Sequence, residues 1–94
     1  GLARTLAPVV RVNAVAPGYV DSAWWERRGG MSPEQVDRQR AGAAAATPLQ
    51  VATQPEEIAG LITWLVCGPG SGSVTGECVL IDGGLHLGQG GTRR

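Results

Sequence analysis

The stretch from Arg11 to Ser22, RVNAVAPGYVDS, constrains the fold more than any other part of the chain. Small and β-branched residues dominate its first half. They predict a strand from Val9 to Val15 that is apolar on both faces, as in a covered parallel sheet. The strand leads into a Pro17-Gly18 turn and then a short polar segment. A buried strand that ends in this way commonly presents a ligand-binding loop at the edge of a sheet.

A helix is predicted after this loop, which extends from Ala16 to Met31. Ser32 and Gln35 are spaced for a capping box, with Pro33 at the first helical position. The helix should end by Thr47, because a residue before proline disfavours helical backbone angles. Alanines make up much of this helix and bury little apolar surface. We therefore expect a weakly anchored, mobile helix that would suit a lid.

A further helix is predicted from Pro55 to Cys67 and a second strand from Glu77 to Asp82. Apolar residues within this helix repeat at the spacing of one buried stripe: Ile58, Leu61, Ile62, Leu65 and Val66. Two parallel strands joined through a helix form a right-handed crossover unit.

The first seven residues, GLARTLA, have the pattern of a helix interior. Leu2 and Leu6 lie one turn apart, no capping residue precedes them, and Pro8 ends the helix near Ala7. The first residue is Gly1 rather than methionine. We therefore expect the sequence to be a piece of a longer protein.

Composition favours a cytoplasmic piece without nucleic-acid or membrane partners. The formal net charge is zero, so no basic surface for phosphate groups is expected. The longest apolar run, Leu61 to Cys67, is too short to span a bilayer. Cys67 and Cys78 are too few for a zinc site or a disulfide framework, and His86 has no visible partner. No metal site is predicted.

The motif around Pro17, together with TGECVLIDGG at residues 75–84, resembles the C-terminal part of the short-chain dehydrogenase/reductase family. The resemblance implies an α/β fold, namely the C-terminal portion of a doubly wound parallel-sheet (Rossmann-type) domain with two parallel strands and flanking helices. Residues 1–85 would belong to this domain, whose N-terminal part is absent, and residues 86–94 would form a flexible tail. The family implies an NAD(P)-dependent oxidoreductase.

The chain lacks the catalytic pair that the family uses, a tyrosine followed four residues later by a lysine. All eight basic residues are arginines, and Ala23 stands four positions after the only tyrosine, Tyr19. The glycine-rich stretches at residues 68–72 and 88–91 do not fit the phosphate-binding fingerprint, which needs a strand before it and a helix after it. We therefore assign no catalytic residue within these 94 residues.

The resemblance does assign a cofactor-binding loop. The main chain of Val20 would hydrogen-bond the nicotinamide carboxamide, and the hydroxyl of Ser22 would support the carboxamide or the pyrophosphate. Pro17 would stiffen the turn and Gly18 would allow close approach. The cofactor would be NAD or NADP, because the residues that discriminate between them lie upstream.

Trp24 and Trp25 stand where the substrate loop of the family begins. They could wall an apolar substrate pocket, or one could pack under the lid helix while the other faces a neighbouring subunit. We interpret the charged residues around them as a solvated rim: Asp21, Glu26, Arg27 and Arg28.

Two functions remain open from sequence. The chain could be the C-terminal fragment of an oxidoreductase that transfers hydride between a nicotinamide cofactor and a small alcohol or carbonyl substrate. Alternatively, it could be a catalytically inactive truncated product that only binds related subunits. In the family, the last helix and strand also build a subunit interface. A homo-oligomer, dimer or tetramer, is therefore expected.

Overall fold

A computed structural model describes residues 1–88 of the chain. Two parallel strands, β1 and β2, form a sheet with helices around it. The elements in chain order are α1 (Leu2–Leu6), β1 (Ala14–Pro17), α2 (Trp24–Arg27), α3 (Pro33–Ala45), α4 (Pro55–Cys67) and β2 (Cys78–Ile81), with 3-10 turns at Ser71–Ser73 and Leu85–Leu87. This architecture confirms the predicted α/β fragment. Residues 89–94 of the predicted tail lie outside the described residues.

The strand pairing brings the carboxyl ends of β1 and β2 to one edge of the sheet. Ala14 is opposite Cys78, and the register continues to Pro17 opposite Ile81. Because the strands are parallel, the loops that leave them after Pro17 and Ile81 start side by side. This edge is where the candidate site is found.

Strand β1 begins five residues later than predicted. The expected start at Val9 is wrong, because the N–H groups of Val9 and Val10 both donate to the Leu6 carbonyl, at 3.0 Å each. Val9 is 87% exposed rather than covered on both faces. The apolar pattern predicted a strand at residues 9–13, but among the described residues this segment pairs with no neighbouring strand. Strand β2 differs from its prediction by one residue at each end.

Two polar side chains in the apolar stretch hold the sheet to the end of α4. Arg11 Nη1 donates to the carbonyls of Ser71 and Val74 at 2.9 and 3.0 Å, and its Nη2 donates to the Val66 carbonyl at 3.0 Å. Asn13 donates to the Val74 carbonyl at 2.9 Å and accepts from the Glu77 N–H at 3.0 Å. These contacts set where β2 begins beside β1.

Helix α3 begins as the sequence predicts. The Gln35 N–H donates to Ser32 Oγ at 3.2 Å, and the Ser32 N–H donates to Gln35 Oε1 at 2.8 Å. This is the expected capping box, and Pro33 is the first helical residue. Val36, 4% exposed, is the one buried residue of the helix. The sparse anchoring of α3 therefore matches its composition.

Helix α4 has the predicted bounds, and it carries a cap that the sequence interpretation missed. The Gln54 N–H donates to Glu57 Oε2 at 3.0 Å. Helix α2 was also missed, because residues 16–31 were predicted to be loop throughout. Ser22 Oγ accepts from the Trp24 N–H at 3.3 Å and so supports this short helix.

We expect the isolated 94-residue chain to lack a cooperative thermal unfolding transition. Within residues 1–88 only Val36 and Leu65 are buried apolar side chains, whereas Val9, Leu49 and Val66 are at least 68% exposed. So small a core offsets little of the conformational entropy lost on folding. Circular dichroism at micromolar concentration and amide exchange of the monomer would measure this. A sharp transition with protected amides in both strands would contradict it.

Candidate functional site

The loop from Pro17 to Ser22 leaves β1 at the carboxyl edge of the sheet. Pro17 is the last residue of β1, and Gly18 packs against the residue that follows β2. A Cβ atom at Gly18 would lie 3.1 Å from the Asp82 Cβ atom. A side chain at Gly18 would therefore be tight against Asp82, so the close approach of two chain segments favours glycine here, whatever ligand the loop binds.

The main chain of Val20 has one hydrogen-bonding group in use and one free. Val20 forms an isolated parallel bridge with Thr53, in which the Asp21 N–H donates to the Thr53 carbonyl at 2.8 Å. The Val20 carbonyl accepts from Trp25 Nε1 at 2.9 Å. Within residues 1–88 the Val20 N–H has no acceptor. The loop thus offers an unpaired backbone donor beside the Ser22 hydroxyl.

Three aromatic rings stand next to this donor. Tyr19 and Trp25 are stacked, with ring centroids 5.7 Å apart and planes at 10°. Trp24 meets Trp25 edge to face, at 4.9 Å and 89°. Both geometries are favourable for aromatic pairs. Trp25 thus packs against both other rings, while Trp24 stays 54% exposed.

A cleft of about 440 Å³ opens between the rings and the loop. The residues that line it are Gly18, Tyr19, Val20, Ser22, Trp24 and Trp25. The structure therefore brings together all the residues proposed for cofactor and substrate except Pro17, which lies behind them in β1. Trp24 and Trp25 both line this cleft.

Tyr19 contributes a buried hydroxyl to this region that sequence interpretation did not single out. Its oxygen is inaccessible to solvent and has no hydrogen-bond partner within residues 1–88. Burial raises the pKa of Tyr19, and the negative charge of Asp21 adds to this, while Arg40 opposes it. The phenol therefore stays protonated at neutral pH, unlike a catalytic tyrosine made acidic by a lysine.

Asp21 is not the solvated rim residue that was predicted. Its side chain is 15% exposed, and its Oδ2 atom accepts from Arg40 Nε at 2.9 Å and from Gln54 Nε2 at 2.8 Å. The hydrogen bond from Gln54, together with Arg40, lowers the pKa of Asp21 although burial opposes this. The other three rim residues, Glu26, Arg27 and Arg28, are exposed as expected.

His86 also has a partner, contrary to the sequence interpretation. His86 Nδ1 lies 2.9 Å from Asp82 Oδ1, and the same carboxylate accepts from the N–H groups of Gly84 and His86. Although burial raises the pKa of Asp82, these hydrogen bonds hold it below its ordinary value. A spacing of four residues across a Gly-Gly turn could have suggested this pair. It fixes the end of β2 against Gly18.

Within residues 1–88, no group of three or more His, Cys, Asp or Glu side chains is arranged to hold a metal ion. In the same range, no helix has both the length and the apolar character needed to cross a bilayer.

A parallel crossover unit with a loop-lined cleft at its carboxyl edge is the arrangement of Rossmann-type nucleotide-binding enzymes. Residues 1–86 match the family model described as enoyl-(acyl carrier protein) reductase. The chain belongs to the short-chain dehydrogenase/reductase family of oxidoreductases.

Relatives and solved structures agree with this assignment. The chain is 37% identical over 81 residues to isoepoxydon dehydrogenase patN of Aspergillus clavatus, covering 84% of this chain and 29% of that protein. It is 38% identical over 78 residues to 3-oxoacyl-[acyl-carrier-protein] reductase FabG of Thermotoga maritima, covering 83% and 28%. A small-chain dehydrogenase in complex with NADPH matches with a TM-score of 0.76 and 28% identity, covering 93% of this chain and 36% of that one. The chain thus spans under a third of the length of these two curated relatives.

The Trp25→Phe variant should unfold more easily than wild type by about 1 kcal/mol, the usual net value of a neutral hydrogen bond. Phenylalanine keeps an aromatic ring in the stack but removes the indole N–H that donates to Val20. The matched control is Trp24→Phe, since Trp24 is 54% exposed and its indole N–H has no acceptor within residues 1–88. The measurement is denaturant unfolding of the complete protein that the gene encodes. Equal losses in the two variants would show that the bond to Val20 adds no stability.

Proposed function

We propose that this chain is the C-terminal part of an NAD(P)-dependent oxidoreductase, and that its Pro17–Ser22 loop binds the nicotinamide end of the cofactor. The observation that carries the proposal is the unpaired Val20 N–H beside the Ser22 hydroxyl, at the carboxyl edge of a parallel sheet. The NADPH complex of a structurally similar dehydrogenase supports it. Whether the cofactor is NAD or NADP is left open.

The residues present fit a nicotinamide carboxamide. The Val20 N–H can donate to the carboxamide oxygen, and the Val20 carbonyl keeps a second lone pair after accepting from Trp25. Ser22 Oγ accepts from Trp24, so its own O–H proton remains available for donation. When bound, the cofactor would supply or accept the hydride. The loop residues would orient the ring and would not move protons themselves.

The substrate is proposed to be a small molecule with an alcohol or carbonyl group. Trp24 and Trp25 would form an apolar wall for it next to the nicotinamide. The two named relatives act on different substrates according to their names, one as an isoepoxydon dehydrogenase and one as an acyl-carrier reductase. We therefore propose the reaction class and not one substrate. A homo-oligomeric, cytoplasmic enzyme remains part of the proposal.

A specific observation also supports the alternative, an inactive product that binds related subunits. Val9 and Val10 face Ile62, Leu65 and Val66 across an open apolar groove of about 630 Å³. Either the rest of the same domain or a related chain could cover this groove. The DNA upstream of the codon for Gly1 discriminates between the two. An open frame that encodes a glycine-rich turn and Tyr-x-x-x-Lys supports the enzyme, whereas a start codon there supports the binding partner.

The purified 94-residue chain should have no dehydrogenase activity. Hydride transfer needs positioning and proton transfer together, and this chain has no lysine and a tyrosine with a raised pKa. Absorbance at the nicotinamide band with NADH or NADPH and a panel of carbonyl compounds is the measurement. Cofactor-dependent turnover that copurifies with the chain through several columns would overturn the expectation.

In the protein expressed from its own reading frame, Ser22→Ala should weaken cofactor binding about five-fold, which corresponds to about 1 kcal/mol for a neutral hydrogen bond. Gly18→Val should be worse, because its Cβ would press on Asp82 as well as on a bound ring. Ser73→Ala, a change at an exposed serine, is the control. Dissociation constants for NADH and NADPH come from fluorescence titration. If both loop variants bind like wild type, the nicotinamide lies elsewhere.

A further inference from the structure

Three segments of the chain meet at the carboxylate of Asp21. The side chain of Asp21 accepts from Arg40 on helix α3 and from Gln54 immediately before helix α4. Its backbone N–H donates to the Thr53 carbonyl, and Thr53 is 4% exposed. One residue of the candidate cofactor loop therefore contacts helix α3 and the N-cap residue of α4 at the same time.

The ion pair between Arg40 and Asp21 is a direct side-chain contact between helix α3 and the loop. Helix α3 buries only Val36. Isolated surface ion pairs contribute little, but the Asp21 carboxylate is 15% exposed and its accepting oxygen is shared with the Gln54 amide. Asp37 accepts from Nη1 of the same guanidinium at 2.8 Å, but it lies on the exposed side of this pair, with its side chain 72% exposed.

Asp21 stands between the two residues that the loop offers to a cofactor, Val20 and Ser22. A shift of the Asp21 main chain would move the free Val20 N–H and the Ser22 hydroxyl together. Helix α2 and the ring of Trp25 follow directly and depend on the same loop. The position of α3 against the loop and the geometry of the cleft are therefore linked through the Asp21 carboxylate.

We propose that Asp21 is a positioning residue that couples the seating of helix α3 to cofactor binding by the loop. It touches neither cofactor nor substrate and acts through the backbone of its two neighbours. With Arg40 bound, α3 lies over the loop and the Val20 donor is held in place; with Arg40 released, both become mobile. This inference rests on the proposed function of the loop.

The test compares two substitutions that remove different partners of the same arginine. Asp21→Asn keeps the shape and can still accept from Gln54, but it loses the charge that holds Arg40. Asp37→Asn removes the exposed partner on α3, which is 72% exposed at its side chain. Both variants, together with Arg40→Gln and Arg40→Lys, are made in the protein expressed from its own reading frame. The readouts are amide hydrogen exchange of α3 and the dissociation constants for NADH and NADPH, measured well below each variant's unfolding temperature.

We expect Asp21→Asn and Arg40→Gln each to speed exchange of α3 amides and to weaken cofactor binding by about five-fold or more. Asp37→Asn should stay within about two-fold of wild type, as expected for an exposed pair. The double variant Asp21→Asn with Arg40→Gln should bind no more weakly than either single variant, because both remove one interaction. Arg40→Lys should recover part of the affinity, since it restores the charge without the fork geometry.

Three results would overturn the proposal. Equal effects of Asp21→Asn and Asp37→Asn on exchange and binding would show that the Asp21 carboxylate contributes no more than the exposed Asp37 carboxylate. Faster exchange of α3 with unchanged dissociation constants would reduce Asp21 to a structural residue. Additive effects in the double variant would show that the two side chains act separately. If wild type binds neither NADH nor NADPH, the proposed function fails with the coupling, while the exchange data still decide whether Asp21 seats α3.

Discussion

The contacts of the Arg11 guanidinium define the geometry on which the rest of this chain depends. This one side chain, which precedes β1 in the chain, donates to a carbonyl in the last turn of α4 and to two carbonyls in the turn that follows. Helix ends leave such carbonyls without partners, and a planar cation with several donors can satisfy them together. Because α4 and the segment before β2 are held to β1 in this way, β2 enters in parallel register. The carboxyl ends of both strands then meet at the candidate site.

Two hydrogen bonds between the loop and the tryptophans that follow it shape the cleft. Trp25 donates to the Val20 carbonyl, and Trp24 donates to Ser22 Oγ, so each tryptophan binds the loop that precedes it. Both bonds span five residues or fewer, and they form with the turn itself. Among the described residues, 1–88, the Val20 N–H and the Ser22 proton have no acceptor. A site with its spare donors fixed in advance loses little entropy when a ligand binds.

Features that depend on residues close together in the chain, such as the starts of helices, could be predicted from the sequence. Features that depend on contacts between distant residues could not. The signals that start α3 and α4, namely the capping box at Ser32 and the prolines Pro33 and Pro55, lie at the first residues of the helices, and both helices were predicted at their observed bounds or close to them. The start of β1 was missed because pairing depends on residues more than sixty positions away. The partners of Asp21 lie 19 and 33 positions from it, so its burial could not be read from neighbouring residues. The cofactor loop itself was found through resemblance, and its roles remain proposals.

The cofactor loop makes many contacts within the chain, whereas the apolar residues around Val9 and Val66 lack a covering segment among the described residues. The cofactor loop is held from within the chain: Thr53 and Gln54 fix one side of it, and Asp82 packs against Gly18 on the other. Elsewhere Val9 is 87% exposed and Val66 is 68% exposed, and exposed apolar residues of this kind mark a surface that a partner segment or subunit can cover. A covering partner would therefore contribute mainly apolar burial there. The position of Val20 and Ser22 is set on a different part of the molecule, by the contacts of Asp21 with Arg40 and Gln54 and of Gly18 with Asp82.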